Sequence, residues 1–250
     1  MKIGAQLYTV REFTKTLEGL DETLGKIADI GYKVVQVSGT CAYEGEWMRD
    51  ALNKYGLTCA VTHSPADELL NATEALVDKH NAFGCKYIGL GMCKTIHEDY
   101  ESFRDAYKPV AEKIRDLGSR FMYHNHQIEF TKLADGRNVF EHMCEDFPAD
   151  TLSFILDTYW VQFGGGDPAK MIRDMKGRMQ CIHLKDLGVV GKEQQMRPVG
   201  EGNINFDAVI AAAYDANCEF ALVEQDHTYG EDPFDCLARS YKYLNSLGLN

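Results

Sequence analysis

No two of the eight cysteines in this 250-residue chain stand at C-x-x-C spacing, and several lie in apolar runs such as LTCAV and MQCIHL. Small buried hydrophobes in a reducing compartment are therefore expected, not disulfides or a zinc knuckle. No apolar run is long enough to span a bilayer, and the opening MKIGAQLYTV is too short and too polar for a signal peptide. No membrane partner and a cytoplasmic location are expected. Positive charge is scarce: 26 Lys and Arg face 38 Asp and Glu, a formal net charge of -12. Such a surface repels phosphate backbones, so nucleic acid is not an expected partner. No linker or low-complexity segment divides the chain. No G-x-G-x-x-G follows the first apolar run, which weakens a doubly wound dinucleotide-binding sheet.

What the chain has instead is a regular alternation. The short apolar runs KIGAQLY, KVVQVS, LTCAVTH, KYIGLGM, RFMYHNH, LSFILDT, MQCIHLK and EFALVEQ read as strands. Longer segments between them carry apolar residues at three- and four-residue spacing. In Thr16–Ile30, Leu17, Leu20, Leu24, Ile27 and Ala28 form one stripe. Gly31, Gly56, Gly84 and Gly118 follow such segments as helix stops, and Asp167-Pro168 reads as an N-cap with a first-turn proline. Strand–helix units of roughly 30 residues, repeated eight times, fill a chain of about 250 residues. The reading is an α/β fold: one (β/α)8 TIM barrel over residues 1–250, with its site at the C-terminal ends of the strands. A doubly wound open sheet is the alternative.

Polar residues collect at those strand ends. Gln6 and Tyr8 close the first strand, Gln36 and Ser38 the second, and His63 the third. His124, Asn125 and His126 close the fifth, and Asp157, Tyr159 and Trp160 the sixth. His183, Lys185 and Asp186 close the seventh, and Glu224 and Asp226 the eighth. Side chains two apart share a face of a strand. If His124, Asp157, His183 and Glu224 point into the barrel mouth, they form a mixed N/O set suited to Mn2+, Zn2+, Co2+ or Mg2+. Each of the four alone reads more readily as a satisfied core group than as a ligand.

Other positions carry weaker signals. Tyr8, Tyr159 and Trp160 suit stacking on a sugar ring or packing in the core. His80, His97 and His142 sit on helix-like segments and are expected in solvent. The GGGDP loop, Gly164 to Pro168, reads as a turn and N-cap in preference to a phosphate cradle. Arg197 precedes the GEG loop, Gly200 to Gly202, and would reach a substrate hydroxyl or carboxylate. Lys185 would neutralise Asp186 or Glu224 or bind a substrate oxyanion.

The strings AQLYTVRE, YHNHQIEF, LDTYW with GGGDP, IHLKDL, RPVGEGNINF and LVEQD occur in that order. Together they resemble the sugar phosphate isomerase/epimerase superfamily of xylose isomerase-like barrels, nearest the branch of inosose dehydratases and enzymes of 3-keto-sugars. The resemblance implies a divalent metal at the barrel mouth, held by glutamate, aspartate, histidine and glutamate from strands five to eight. By position the last three fall on Asp157, His183 and Glu224. The first falls on His124, a departure: His124 either gives a nitrogen to the metal or acts as acid or base. Glu129 is then an alternative oxygen ligand. Trp160 stands where many sugar epimerases carry a histidine, and Gln36 and Ser38 where a glutamate is common.

The resemblance also implies proton removal next to a carbonyl, with the metal as Lewis acid. A metal-dependent sugar isomerase or epimerase is the leading reading. A lyase or dehydratase acting by β-elimination on an inosose or 3-keto-glycoside competes with it, with Glu224 or His124 as base and His126 or Lys185 as acid. Gln6, Tyr8, His63, Glu129, Tyr159, Trp160 and Arg197 are the expected contacts to a small carbohydrate or polyol. A non-catalytic sugar-binding or partner subunit is a third reading. A multi-metal DNA repair barrel is opposed by the acidic charge. Homo-oligomers are usual for such barrels.

Overall fold

In the computed structural model, which describes residues 1–249, every one of the eight apolar runs is a strand. These are β1 (Lys2–Gln6), β2 (Val34–Val37), β3 (Thr58–His63), β4 (Tyr87–Leu90), β5 (Arg120–His124), β6 (Leu152–Asp157), β7 (Cys181–Leu184) and, after a hairpin, β10 (Phe220–Val223). Around the barrel the order is β1-β10-β7-β6-β5-β4-β3-β2, with all neighbours parallel. β1 pairs with both β2 and β10, so the sheet closes and the open doubly wound alternative is excluded.

The helices are α1 (Leu17–Ile30), α2 (Gly45–Tyr55), α3 (Ala66–Asn71), α4 (Thr73–Ala82), α5 (Tyr100–Asp116), α6 (Val139–Asp146), α7 (Thr158–Phe163), α8 (Pro168–Asp174), α9 (Phe206–Asp215) and α10 (Pro233–Ser246). Side-chain caps set several starts: Thr16 accepts from the Gly19 N–H, and Asp167 from the Lys170 N–H ahead of Pro168. The GGGDP loop is thus the turn and N-cap that its sequence suggests. Apolar stripes on the helices bury against the outside of the barrel, where Leu20, Leu24, Ile27, Tyr107 and Phe121 belong to one continuous core.

A second, smaller core fills the barrel itself, with Val34, Val61, Met122, Ile155, Cys181 and Leu222 as members. Strand periodicity turns this layer into a positional rule. Two residues further along each strand the same face carries Gln36, His63, His124, Asp157, His183 and Glu224. The hydrophobic plug therefore forms the floor beneath a polar ring.

The structure revises two readings. A hairpin of β8 (Asp186–Val190) and β9 (Glu193–Arg197) intervenes between β7 and the GEG loop. Its two-residue turn is Gly191-Lys192, with Gly191 at φ 62°, a glycine-favoured conformation. Its strands alternate weakly in hydrophobicity and sit outside the barrel, which is why periodicity missed them. His80 is buried, not solvated. One ring nitrogen lies 2.7 Å from the Leu76 carbonyl and the other 2.7 Å from Thr62 Oγ1. Burial lowers its pKa to about 4, so it sits in the core as a neutral polar link between α4 and β3.

Lys185 does not neutralise Asp186. The Asp186 carboxylate accepts the backbone N–H groups of Leu187 (2.8 Å), Gly200 (2.9 Å), Gly202 (2.8 Å) and Ile204 (3.2 Å). A Cβ on Gly202 would collide with that carboxylate, so the loop needs glycine there. Asp186 thereby ties the GEG loop to the end of β7. Asp186→Ala leaves several buried donors unpaired and is expected to lower the unfolding free energy by about 2–4 kcal/mol, measured by urea titration. A loss below about 0.5 kcal/mol would show that the loop holds without it.

Candidate active site

His124, Asp157, His183 and Glu224 are brought together at the C-terminal ends of β5, β6, β7 and β10. All four are buried, and one ligand-capable atom from each lies within 4.8 Å of the others. His124 Nε2 is 3.2 Å from Asp157 Oδ2. His183 Nδ1 is 3.6 Å from the same oxygen and 2.9 Å from Glu224 Oε2.

The orientation of both imidazoles is fixed from behind. His124 Nδ1 is 3.0 Å from the Gly91 carbonyl, and His183 Nε2 is 2.6 Å from Gln36 Oε1. A carbonyl only accepts, so those nitrogens carry the protons when the rings are neutral. The bare lone pairs, His124 Nε2 and His183 Nδ1, then face the carboxylates. A partner that holds the remote N–H in this way is what metal-ligating histidines require. His183 Nδ1 also makes no hydrogen bond of good geometry despite its closeness to Glu224. Asp157 divides its oxygens: Oδ1 caps α7 through the Trp160 N–H (3.0 Å), leaving Oδ2 to the cluster. Asn125 Oδ1 fixes the same residue from the backbone side, accepting the Asp157 N–H at 2.9 Å. The β2–β3 register shifts between Val35 and Gln36, a local irregularity beside the site.

Charge balance points the same way. Lys185 Nζ lies 3.0 Å from Glu224 Oε2, 2.7 Å from Asp226 Oδ2 and 3.5 Å from Asp157 Oδ2. Burial works against its charge, but these three carboxylates lift its pKa above the ordinary lysine value. Burial likewise opposes charge on His183, yet Glu224 and Asp157 raise it to about 9. Burial raises the pKa values of Asp157 and Glu224, but Lys185 and the imidazoles hold both below the usual carboxylate range. With neutral imidazoles, three carboxylates against one ammonium leave two unbalanced negative charges in a buried site. A divalent cation would balance them and release the His183 proton. The residues present therefore fit a divalent metal, with His124, Asp157, His183 and Glu224 as its donor set.

A cavity of about 660 Å³ opens beside the cluster. His63, His124, His126, Glu224 and Asp226 line its inner end, and Tyr8 its rim. His63 Nδ1 pairs with Ser38 Oγ at 3.1 Å, its ring stacks on His124 at 5.0 Å, and its Nε2 has no partner. Burial lowers the His63 pKa well below 6.5, helped by the neighbouring imidazoles. His126 meets His124 edge-on at 4.7 Å and lies 5.2 Å from Trp160. Burial, then the His124 and Lys185 charges, push its pKa down to about 2. Its Nδ1 has no partner. Trp160 also lies under the Lys185 ammonium at 5.2 Å. Gln6 is buried at the end of β1: its Oε1 accepts the Tyr8 N–H at 3.2 Å and its Nε2 has no partner.

Five expected substrate contacts lie outside the cavity lining: Gln6 and Trp160, which stand beside the cluster, and Glu129, Tyr159 and Arg197. Glu129 is turned away from the cluster, so it serves neither as the alternative oxygen ligand nor as a cavity residue. Its Oε1 accepts from Tyr123 OH at 2.5 Å and its Oε2 from the His126 N–H at 2.7 Å. The strand parity of Tyr123, opposite to His124, carries Glu129 to the helix side of β5. Tyr159 is buried on α7, perpendicular to Trp160 and stacked on Phe163, so it is core. Arg197 lies on the hairpin, its stem against Gly188, outside the cavity lining. Sequence reasoning noted Gln36, Ser38 and Asp226 without giving them a role. The parity of LVEQD places Asp226 with Glu224, but nothing in the sequence joins Gln36 to His183 across the barrel.

A family model described as Xylose isomerase-like TIM barrel matches residues 24–246. An inosose dehydratase of Geobacillus kaustophilus (strain HTA426) is 23% identical over 193 residues, covering 67% of this chain and 62% of that protein. The chain thus spans under two thirds of that relative's length. Among solved structures, a sugar phosphate isomerase/epimerase from Parabacteroides distasonis ATCC 8503 superposes with a TM-score of 0.81 at 20% identity, covering 98% of this chain and 93% of that one. The probable 3-DHS dehydratase AsbF from Bacillus anthracis, involved in petrobactin synthesis, gives 0.75 at 18% identity, covering 98% and 99%. At these identities the structural likeness speaks for the fold.

Glu129 gives the site a pH signature of its own. Burial raises its pKa from 4.5 to about 7 against the hydrogen bonds from Tyr123 and the His126 N–H. Between those values the native protein keeps a proton that the unfolded chain releases. The stabilisation is full below about pH 4.5 and is lost as pH rises through 7, about 3 kcal/mol for a shift of this size. Glu129→Gln stays neutral throughout. Chemical denaturation from pH 5 to pH 8 should show the wild type losing stability relative to this variant; a pH-independent difference contradicts the assignment.

Proposed function

This chain belongs to the xylose isomerase-like TIM barrel family, and on that premise we propose that it is a divalent-metal-dependent enzyme of keto-sugars or related polyols. It removes a proton from the carbon next to a carbonyl. The observation that carries the reading is the convergence of two imidazole lone pairs and two carboxylate oxygens, with both remote imidazole nitrogens tied to Gln36 and Gly91. A cation bound there would supply Lewis-acid polarisation of the substrate carbonyl.

The remaining groups divide the proton work. His126 is neutral and its ring lines the cavity, so it is assigned to accept a proton there. Lys185 is held charged among Glu224, Asp226 and Asp157, which argues against a base or Schiff-base role and supports one in offsetting negative charge that develops on substrate oxygen. Asp226 lines the cavity with its Oδ2 2.7 Å from the Lys185 ammonium, and this pair is assigned to the departing oxygen.

This asymmetry favours elimination over symmetrical epimerisation. Epimerisation needs proton exchangers on opposite faces of one carbon. Here His124 takes the place of one carboxylate, Glu129 is turned away, and Glu224 and Asp226 leave one strand and share Lys185. The favoured outcome is therefore loss of a β-oxygen from a keto-polyol, with isomerisation or epimerisation as the second reading within the same chemistry.

The test combines metal analysis with a panel of keto-sugars and inososes in deuterated water. One bound divalent ion per chain, loss of water from a substrate, and loss of both in Glu224→Ala are expected. Deuterium gained without elimination supports the epimerase reading. Absence of metal and of exchange on every member of the panel overturns the proposal. Gln36→Leu, which frees the remote nitrogen of His183, should weaken metal binding by about 10- to 100-fold in a chelator competition. An unchanged affinity would remove Gln36 from the site.

A further inference from the structure

The three glycines that follow α7 lie outside the cluster and the cavity lining, yet they meet the turn that begins at His126. Gly164 has φ -73°, which any residue adopts, so its backbone does not call for glycine. Space does. A Cβ on Gly164 would stand 2.6 Å from Phe130 Cδ2 and 2.8 Å from Phe130 Cγ. One on Gly166 would stand 2.9 Å from Val161 Cγ1 and 3.3 Å from Phe130 Cε1. Two glycines of the loop thus form a seat for the Phe130 ring, which also packs against Phe140 of α6 with centroids 5.4 Å apart.

Phe130 closes the 3-10 turn Gln127–Phe130, which starts directly after His126. One residue earlier, buried Glu129 takes the Tyr123 hydroxyl on one oxygen and the His126 N–H on the other. The turn is therefore fixed at two adjacent residues, one by hydrogen bonds back to β5 and its end, the other by packing into the glycine loop. The loop is itself bonded to the site. The Gly164 N–H donates to the Trp160 carbonyl at 2.9 Å, and the Trp160 ring lies 5.2 Å from that of His126. The Trp160 N–H in turn donates to Asp157 Oδ1. The six residues of α7 thus link the buried cluster at one end to the Phe130 seat at the other.

We propose that Phe130 and the glycine loop are positioning elements for His126: the seat holds the turn, and the turn holds the imidazole between His124 and Trp160. This rests on the proposed reaction, in which His126 accepts the proton, and adds the residues that keep that group in place. A displacement of about 1 Å at a reacting group costs up to about 100-fold in rate.

Hydrogen–deuterium exchange of the metal-loaded protein reads the seat without any substrate. Gly164→Ala should raise exchange in the peptide spanning 126–130 by about fivefold or more, with peptides from β1 to β3 unchanged as the sign of an intact barrel. Adding Phe130→Leu, which makes room for the new methyl group, should restore protection. Phe130→Ala empties the seat without adding bulk, should loosen the same peptide, and serves if Gly164→Ala does not fold. With a keto-polyol that the wild type turns over, Gly164→Ala should lower kcat by about tenfold or more at a KM within about twofold, and the double variant should recover most of the loss. Unchanged exchange in the single variants overturns the inference alone, as does loosening that Phe130→Leu fails to relieve. Loosened exchange with unchanged kcat overturns the positioning role. If His126→Gln is then as active as the wild type, the part given to His126 in the proposed reaction falls with it; if His126→Gln is inactive, that part stands.

Discussion

Three buried carboxylates around one ammonium dominate the electrostatics of this barrel. Asp157, Glu224 and Asp226 converge on Lys185, and all four lie where the hydrophobic plug of the barrel ends. Such a concentration of unlike and like charge is costly to bury unless every member is fixed. The surrounding structure does that fixing. Asp157 is held by Asn125 and the start of α7, His183 by Gln36, and His124 by Gly91. Thr158 ties β6 to β7 by accepting the Lys185 N–H at 3.0 Å and lying within hydrogen-bond reach of two carbonyls. The excess of negative charge that remains is what fits the cluster to a cation.

The same constraint explains how the mouth separates binding from proton transfer. Groups locked into the cluster have pKa values driven to one extreme: Lys185 is held charged, and Asp157 and Glu224 are held ionised. They suit fixed electrostatics. Just outside it, His63 and Asp226 line the cavity and each keep a buried polar atom without a partner. Preorganised charge at the centre and unsatisfied polar atoms at the edge are the arrangement expected of a site completed by its ligand.

Much of this was legible in the sequence because barrels convert position into geometry. The period-two rule on RFMYHNH, LSFILDT, MQCIHLK and EFALVEQ was enough to put His124, Asp157, His183 and Glu224 on one face, and the eight strands pair as the alternation implied. The rule fails where the chain leaves the strand. Glu129 lies five residues past His124 but is carried to the other side of β5 by a short turn, and Tyr159 rotates into α7. The hairpin of β8 and β9 moves Arg197 away from the mouth for the same reason. Contacts across the barrel, such as Gln36 with His183, depend on closure and register, which no local pattern encodes.

The departure at His124 acquires a physical meaning in this setting. A glutamate there would add a fourth carboxylate beside Asp157, Glu224 and Asp226, deepening the negative charge and supplying an exchanger on the far face of the substrate. An imidazole keeps a donor atom for a cation while adding no charge. It also stacks on His63 at 5.0 Å and meets His183 at a tilt at 4.4 Å, in a group of three rings that a carboxylate could not join. Glu129 does not replace the lost carboxylate, because it is spent on Tyr123 and the His126 backbone and so fixes the turn that presents His126. In place of two opposed carboxylates, this mouth offers neutral imidazoles and a lysine–aspartate pair on neighbouring strands. That asymmetry is the structural argument behind the proposed one-sided elimination.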